Sequence, residues 1–117
     1  MADLSIQNLS DEDGGAITFA AAAAGGDKFV WDSRAFVVIK NDDVSAKQVT
    51  VTAAYTTIAD SRYGELTRSN IVLSVAAGAT AIIPPLPVAF RNSADSNKVA
   101  LTYDAVTSLS VAAARIQ

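Results

Sequence analysis

The sequence predicts an all-β fold: a single small antiparallel β-sandwich, immunoglobulin-like or jelly-roll-like, of seven to eight short strands with an N-terminal arm. Three observations carry this. Short runs of Val, Ile, Thr and Ala recur through the 117 residues, separated by Gly, Pro, Asn and Asp, the punctuation of strands and turns. Half of the residues are hydrophobic but only 7% are aromatic, so the core must be assembled from many small aliphatic side chains. The length suits one core, since single domains typically span about 100–150 residues. Residues 1–15 form the expected arm and residues 16–117 the sandwich.

The arm is polar and acidic and ends in Asp11-Glu12-Asp13-Gly14-Gly15. Its Leu4, Ile6 and Leu9 are suited to docking on a neighbour; a frayed terminus is the alternative. Residues 16–24 contain five consecutive alanines, which favour helix by propensity. The segment is too short for a stable isolated helix and opens with Ile17-Thr18-Phe19, so a strand is expected. Gly25-Gly26-Asp27 supplies a turn, Phe29-Val30-Trp31 a short strand, and Asp32-Ser33 a reversal. Residues 34–40 follow, with Phe36 to Ile39 apolar at consecutive positions, as in a strand covered on both faces.

After the Asn41-Asp42-Asp43 turn, Val49, Val51, Ala53 and Tyr55 alternate with Thr50, Thr52, Ala54 and Thr56, the period of a half-buried strand. Residues 58–69 read as an exposed connection with room for a short strand. Residues 71–76 and 80–83, joined by Ala77-Gly78-Ala79, read as a hairpin. Pro84, Pro85 and Pro87 end that strand or line a sheet edge, because proline donates no ladder hydrogen bond. A polar loop at 92–97 precedes a final pair at 98–103 and 108–115. The expected core is Phe36, Val38, Val49, Val51, Leu73, Val75, Leu101 and Val111, with Trp31 as the largest anchor.

The chemistry is sparse. With no His and no Cys, triads built on those residues, disulfides and thiolate metal sites are all excluded. Ten Asp and two Glu leave a carboxylate pair as the one common acid/base option, and most of the Asp stand beside Gly, Ser or Asn, where they close turns. No catalytic, cofactor or metal residue is assigned. Asp11-Glu12-Asp13 and Asp42-Asp43 lack the alternating acidic spacing of a calcium loop. The net charge of −3, with nine scattered basic residues, argues against nucleic acid. The uncharged run at 71–90 is broken by three prolines and by Ser and Thr, so it is not a membrane span, and no secretory signal opens the chain. Pro84-x-x-Pro87 matches a polyproline ligand pattern but reads better as a strand-linking loop.

The remaining candidates are contact residues. Tyr55, Tyr63, Phe90 and Arg91 lie in or near exposed connections and belong to types that anchor interfaces, although packing at a sandwich rim explains them as well. Arg62, Glu65 and Arg68 carry the charge of the 58–69 connection.

A resemblance adds to this reading. The stretch Gly26-Asp27-Lys28-Phe29-Val30-Trp31-Asp32-Ser33-Arg34-Ala35-Phe36-Val37-Val38-Ile39-Lys40-Asn41 is similar to a segment of small head proteins of tailed bacteriophages. So are the Ala77-Gly78-Ala79-Thr80 turn, Ile83-Pro84-Pro85-Leu86-Pro87, and the ending from Leu101-Thr102-Tyr103-Asp104-Ala105-Val106-Thr107 to Ser108-Leu109-Ser110-Val111-Ala112-Ala113. Ser33 stands where that group usually has Gly. The resemblance implies a decoration, or cement, protein on the outer surface of the virion capsid, made in the host cytoplasm. Its partners would be the major capsid protein and copies of itself, as a dimer or trimer, with no cofactor, no nucleic acid and no membrane. The expected capsid or subunit contacts are Leu4, Ile6, Leu9, Arg62, Tyr63, Arg68, Phe90 and Arg91. The competing expectation is a host-surface or glycan-binding β-sandwich module of a phage tail or cell-surface protein, using Trp31 or loop tyrosines as stacking platforms.

Overall fold

The computed structural model describes residues 2–9, 15–53, 57–60, 64–67, 69–86 and 90–116. They form strands β1 (Ala2–Asp3), β2 (Ile6–Leu9), β3 (Ala20–Ala21), β4 (Asp27–Val30), β5 (Ala35–Asn41) and β6 (Lys47–Thr52). Then come β7 (Thr57–Asp60), β8 (Gly64–Thr67), β9 (Ile71–Val75), β10 (Thr80–Ile83), β11 (Lys98–Tyr103) and β12 (Leu109–Ile116). A 3-10 turn spans Ser93–Asp95, and the described residues contain no α-helix.

Ten of the strands build two mixed sheets, and β7 with β8 forms a separate two-stranded ladder. One sheet has the order β1-β4-β11-β6-β9. The other has the order β10-β5-β12-β2, with β3 also on β12. Without the arm, β3-β12-β5-β10 faces β4-β11-β6-β9, and every connection between successive strands changes sheet except that from β6 to β9. This is the connectivity of an eight-stranded jelly roll, which decides between the two sandwich types the sequence left open.

The arm is woven into this framework. Strand β1 adds parallel to β4, and β2 adds parallel to β12 beside Ala113–Ile116. Strand β3 takes the Ser110 and Val111 positions on the same side of β12, antiparallel. The eight sandwich strands pair antiparallel throughout, and the two parallel pairings both come from the arm. Of the expected strand at 16–24, only Ala20 and Ala21 enter a ladder.

Two pairings differ from the sequence expectation. The 76–79 turn is present, with Ala79 N donating to Ala76 O at 3.0 Å and Gly78 at φ +72°, but β9 and β10 do not form a hairpin. Strand β9 pairs with β6 and β10 with β5, so the turn crosses the sandwich. Strands β11 and β12 likewise belong to opposite sheets. Alternation tells a strand which face is apolar but not which sheet it joins. Here the buried Asn41 helps decide: its Nδ2 donates to Ser45 O, Val75 O and Ala76 O at 2.9, 3.1 and 3.3 Å, and its backbone N donates to Ala79 O. The end of β5 thereby holds the end of β9 across the core.

The core contains Val49, Val51, Val75, Leu101 and Val111 as expected, with Leu73 and Trp31 partly buried against it. Phe36 and Val38 lie on the opposite face of β5, where Val38 is buried as expected and Phe36 half-buried, but neither joins this cluster. On β5 the inward residues are Ala35, Val37, Ile39 and Asn41, one register step away, and the outer face carries Phe36 and Val38 beside Ala112, Ala114 and Ile82. Four consecutive apolar residues look alike on either face, so parity was open until the partner strands were placed. The largest fully buried side chain is Phe90, not Trp31.

Candidate functional site

The jelly-roll order sorts the connections to two ends. Residues 22–26, 42–46, 76–79 and 104–108 gather at one end and are tied by short backbone bonds, such as Asp42 N to Ser108 O at 3.0 Å and Ala22 N to Leu109 O at 2.9 Å. Residues 31–34, the described parts of 53–70 with the β7–β8 ladder, and those of 84–97 occupy the opposite end. The described parts of the two connections in which the sequence expectation places Arg62, Tyr63, Arg68, Phe90 and Arg91 are therefore brought to the same end.

At this end the best-defined cluster is built on Trp31. Its indole Nε1 donates to Leu86 O at 2.9 Å, and its backbone N donates to Asn97 O at 2.8 Å. The Arg91 guanidinium lies 5.3 Å over the indole ring, a cation–π contact, and the Arg91 Nε is buried without a hydrogen-bond partner. The adjoining loop closes on itself. Asn92 Oδ1 accepts from Ala94 N, Asn97 N donates to Asn92 O, and Ser96 and Asn97 adopt positive φ.

The contact residues expected from sequence are distributed unevenly. Leu4 and Ile6 pack against the core of their own domain, and half-buried Leu9 lies against Gly15, where an added Cβ would come within 2.9 Å of its Cδ2. Phe90 is corrected from contact residue to core: it is fully buried and packs with the aliphatic side chains of the core. Arg91 is half-buried on Trp31. Arg62, Tyr63 and Arg68, like Tyr55 and the acidic run 11–13, lie outside the described residues. Beside the arm, a half-open groove of about 430 Å³ runs over the gap between β2 and β3, lined by Asp3, Gln7, Phe19 and Ala112 among others. Two of its polar side chains are already engaged: Gln7 exchanges two 2.8 Å bonds with the Thr18 backbone, and Asp3 accepts from Lys98 at 2.9 Å.

Several carboxylates serve the fold. Asp43 accepts from Lys47 at 2.6 Å and from Val44 N at 2.8 Å; the Lys47 bond first, then the backbone N–H, holds its carboxyl below the ordinary range. Asp32 accepts from Arg34 N and from Arg115 Nη1, and these bonds in that order lower its pKa. Asp95 pairs with Lys28 at 3.0 Å. Asp27, only 1% exposed, receives the Tyr103 hydroxyl at 2.7 Å and Ala23 N at 3.1 Å on one oxygen. Among the described residues no group of three potential metal ligands occurs, and no helix is long and apolar enough to cross a membrane.

Sequence reasoning missed one feature. The uncharged stretch from residue 69 to residue 90, noticed only as a membrane-span test, supplies both β9 and β10, the outermost strands on one side of the sandwich. Comparison of the chain with protein-family models, curated proteins and solved structures finds no match.

Proposed function

We propose that this chain is a structural virion protein, a cement protein that binds the outside of a tailed-phage capsid and braces neighbouring major-capsid subunits. The observation that carries the reading is where the resembling segments fall. Residues 26–41 and 101–113 supply β4, β5, half of β11 and most of β12, and these pair with each other, β4 with β11 and β5 with β12. The likeness to small phage head proteins thus lies in a contiguous part of the scaffold, with residues 77–80 and 83–87 around β10.

The physical character supports it. Carboxylates spent on turns and ion pairs leave a protein that acts through surface, and many weak contacts repeated over a lattice add up to strong attachment. The end carrying Trp31, Arg91 and the β7–β8 ladder is the surface proposed to meet the capsid. Trp31 is a poor glycan platform in this arrangement, because Arg91 covers one ring face and Leu86 O takes the indole N–H. The test is quantitative mass spectrometry of gradient-purified particles from the lysate that makes the chain. A ratio within a few-fold of one copy per major capsid subunit is expected; a few copies per particle, or none, would refute the lattice-wide role.

A further inference from the structure

The sandwich has four outer edges, and the chain treats its two sides differently. On one side the arm extends both sheets: β1, a strand of two residues, lies on β4, and β2 lies on β12 next to the short β3. On the other side β9 and β10 end their sheets, and among the described residues no strand pairs beyond them. An open edge presents unpaired backbone groups, and monomeric β-proteins guard such edges with charge, proline, bulges or very short strands. Strand β10 is four residues long and runs directly into Pro84-Pro85. Strand β9, Ile-Val-Leu-Ser-Val, has neither charge nor proline and lies wholly within the uncharged stretch 69–90.

Its side chains are also unfinished as packing. Only Val75 is fully buried; Ile71 and Leu73 face the core yet remain partly exposed, and Val72 on the outer face is 58% exposed. We propose that β9 is a subunit interface, at which β9 of one copy pairs antiparallel with β9 of a second copy across a two-fold axis at Leu73. That register sets Ile71 opposite Val75 of the second copy and Val72 opposite its Ser74, so no charge meets its like and the half-exposed aliphatic groups are covered. The same strand offers no charged group by which to select a foreign segment, whereas it is complementary to itself, as an isologous interface requires. A net charge of only −3 per chain opposes the association weakly.

Sedimentation of the full chain over a roughly hundredfold concentration range tests this, because dimer formation follows mass action. The expected mass rises to twice the 12.1 kDa of the chain. Val72→Lys, a substitution at an outward, exposed position, is expected to leave the circular dichroism and melting temperature of the monomer unchanged while weakening association at least about tenfold. Because the chain has no Cys, Leu73→Cys adds a single reporter at the axis, expected to form a disulfide-linked dimer under mild oxidation, while Ile82→Cys on β10 does so far more slowly. A wild type that stays monomeric throughout, a Val72→Lys variant that associates as strongly as wild type, or equal cross-linking at 73 and 82 would each overturn the proposal. These readouts concern the free protein, so their failure is separate from that of the capsid reading, which is scored on particles.

Discussion

Replacing Tyr103 by Phe isolates one buried polar contact. The Tyr103 hydroxyl donates to Asp27 Oδ2 at 2.7 Å, a short charge-assisted bond, and the same oxygen also accepts from Ala23 N at 3.1 Å. Asp27 begins β4 and is 1% exposed, so water cannot replace a lost donor. Hydrogen bonds to charged groups contribute about 1.5–3 kcal/mol, and the variant is expected to lose that much. At about 4 °C per kcal/mol for a domain of this size, the melting temperature falls by roughly 6–12 °C. Alkaline pH gives a second readout. Burial first, then the Asp27 hydrogen bond and charge, push the Tyr103 phenol well above its ordinary value of 10. A folded-state pKa raised in this way means the stabilisation is complete below about pH 10 and is lost as the pH climbs beyond it, when only the unfolded chain ionises. Wild type should therefore lose stability above pH 10 faster than Tyr103→Phe, and the gap between them should narrow. Urea denaturation at pH 7 and pH 10.8 measures both effects. A cost below about 0.5 kcal/mol at neutral pH, or a gap independent of pH, would refute the reasoning.

Four further outcomes are expected. Phe90→Ala should cost about 3–5 kcal/mol in urea unfolding, because the ring is fully buried; a near-neutral effect would return Phe90 to the surface. Deleting residues 2–9 removes the ladders on β4 and β12 together with the Lys98–Asp3 and Arg115–Asn8 bonds, so amide exchange in β4 and β12 should speed up and the melting temperature should fall. Unchanged protection would mean the arm does not pair there. Gly78→Ala should destabilise by about 1 kcal/mol in thermal melts although nothing lies within 4 Å of the added Cβ, since φ +72° is strained for an L side chain. In acid, Asp3, Asp32 and Asp43 have folded-state pKa values below the ordinary 3.8, so their contribution is present above about pH 4 and is lost as the pH falls. Asp32→Asn should flatten part of that acid slope in a melting-temperature titration.

Much of the strand content was legible in the sequence, for reasons visible at single positions. Val49 and Val51 against Thr50 and Thr52 announce a half-buried strand, and the structure buries the valines and leaves the threonines outward. Asp43 beside Asn41 announces a turn, and both side chains bond to the local backbone. The contact residues were less legible. Phe90 and Arg91 sit in a proline-flanked, loop-like stretch, so nothing local distinguishes an exposed anchor from a core residue and its cation–π neighbour. The open β9 edge left a signal, the loss of charge from 69 to 90, but that signal acquires meaning only once β9 is known to be outermost.

By itself, then, the sequence determined the all-β class, the strand and turn alphabet, and an equipment of side chains poor in acid/base chemistry. These follow from short-range physics: alternation, proline and glycine geometry, and the absence of His and Cys. The tertiary structure alone decided that β9 and β10 part to opposite sheets, that Val37 and Ile39 face inward in place of Phe36 and Val38, that the arm extends the sheets on one side, and that β9 and β10 are outermost among the described strands on the other. Each of these is a choice of partner between segments far apart in the chain. An apolar strand is satisfied by any apolar neighbour in register, and only the simultaneous packing of all strands, with Asn41 bridging the two sheets, selects which one it receives.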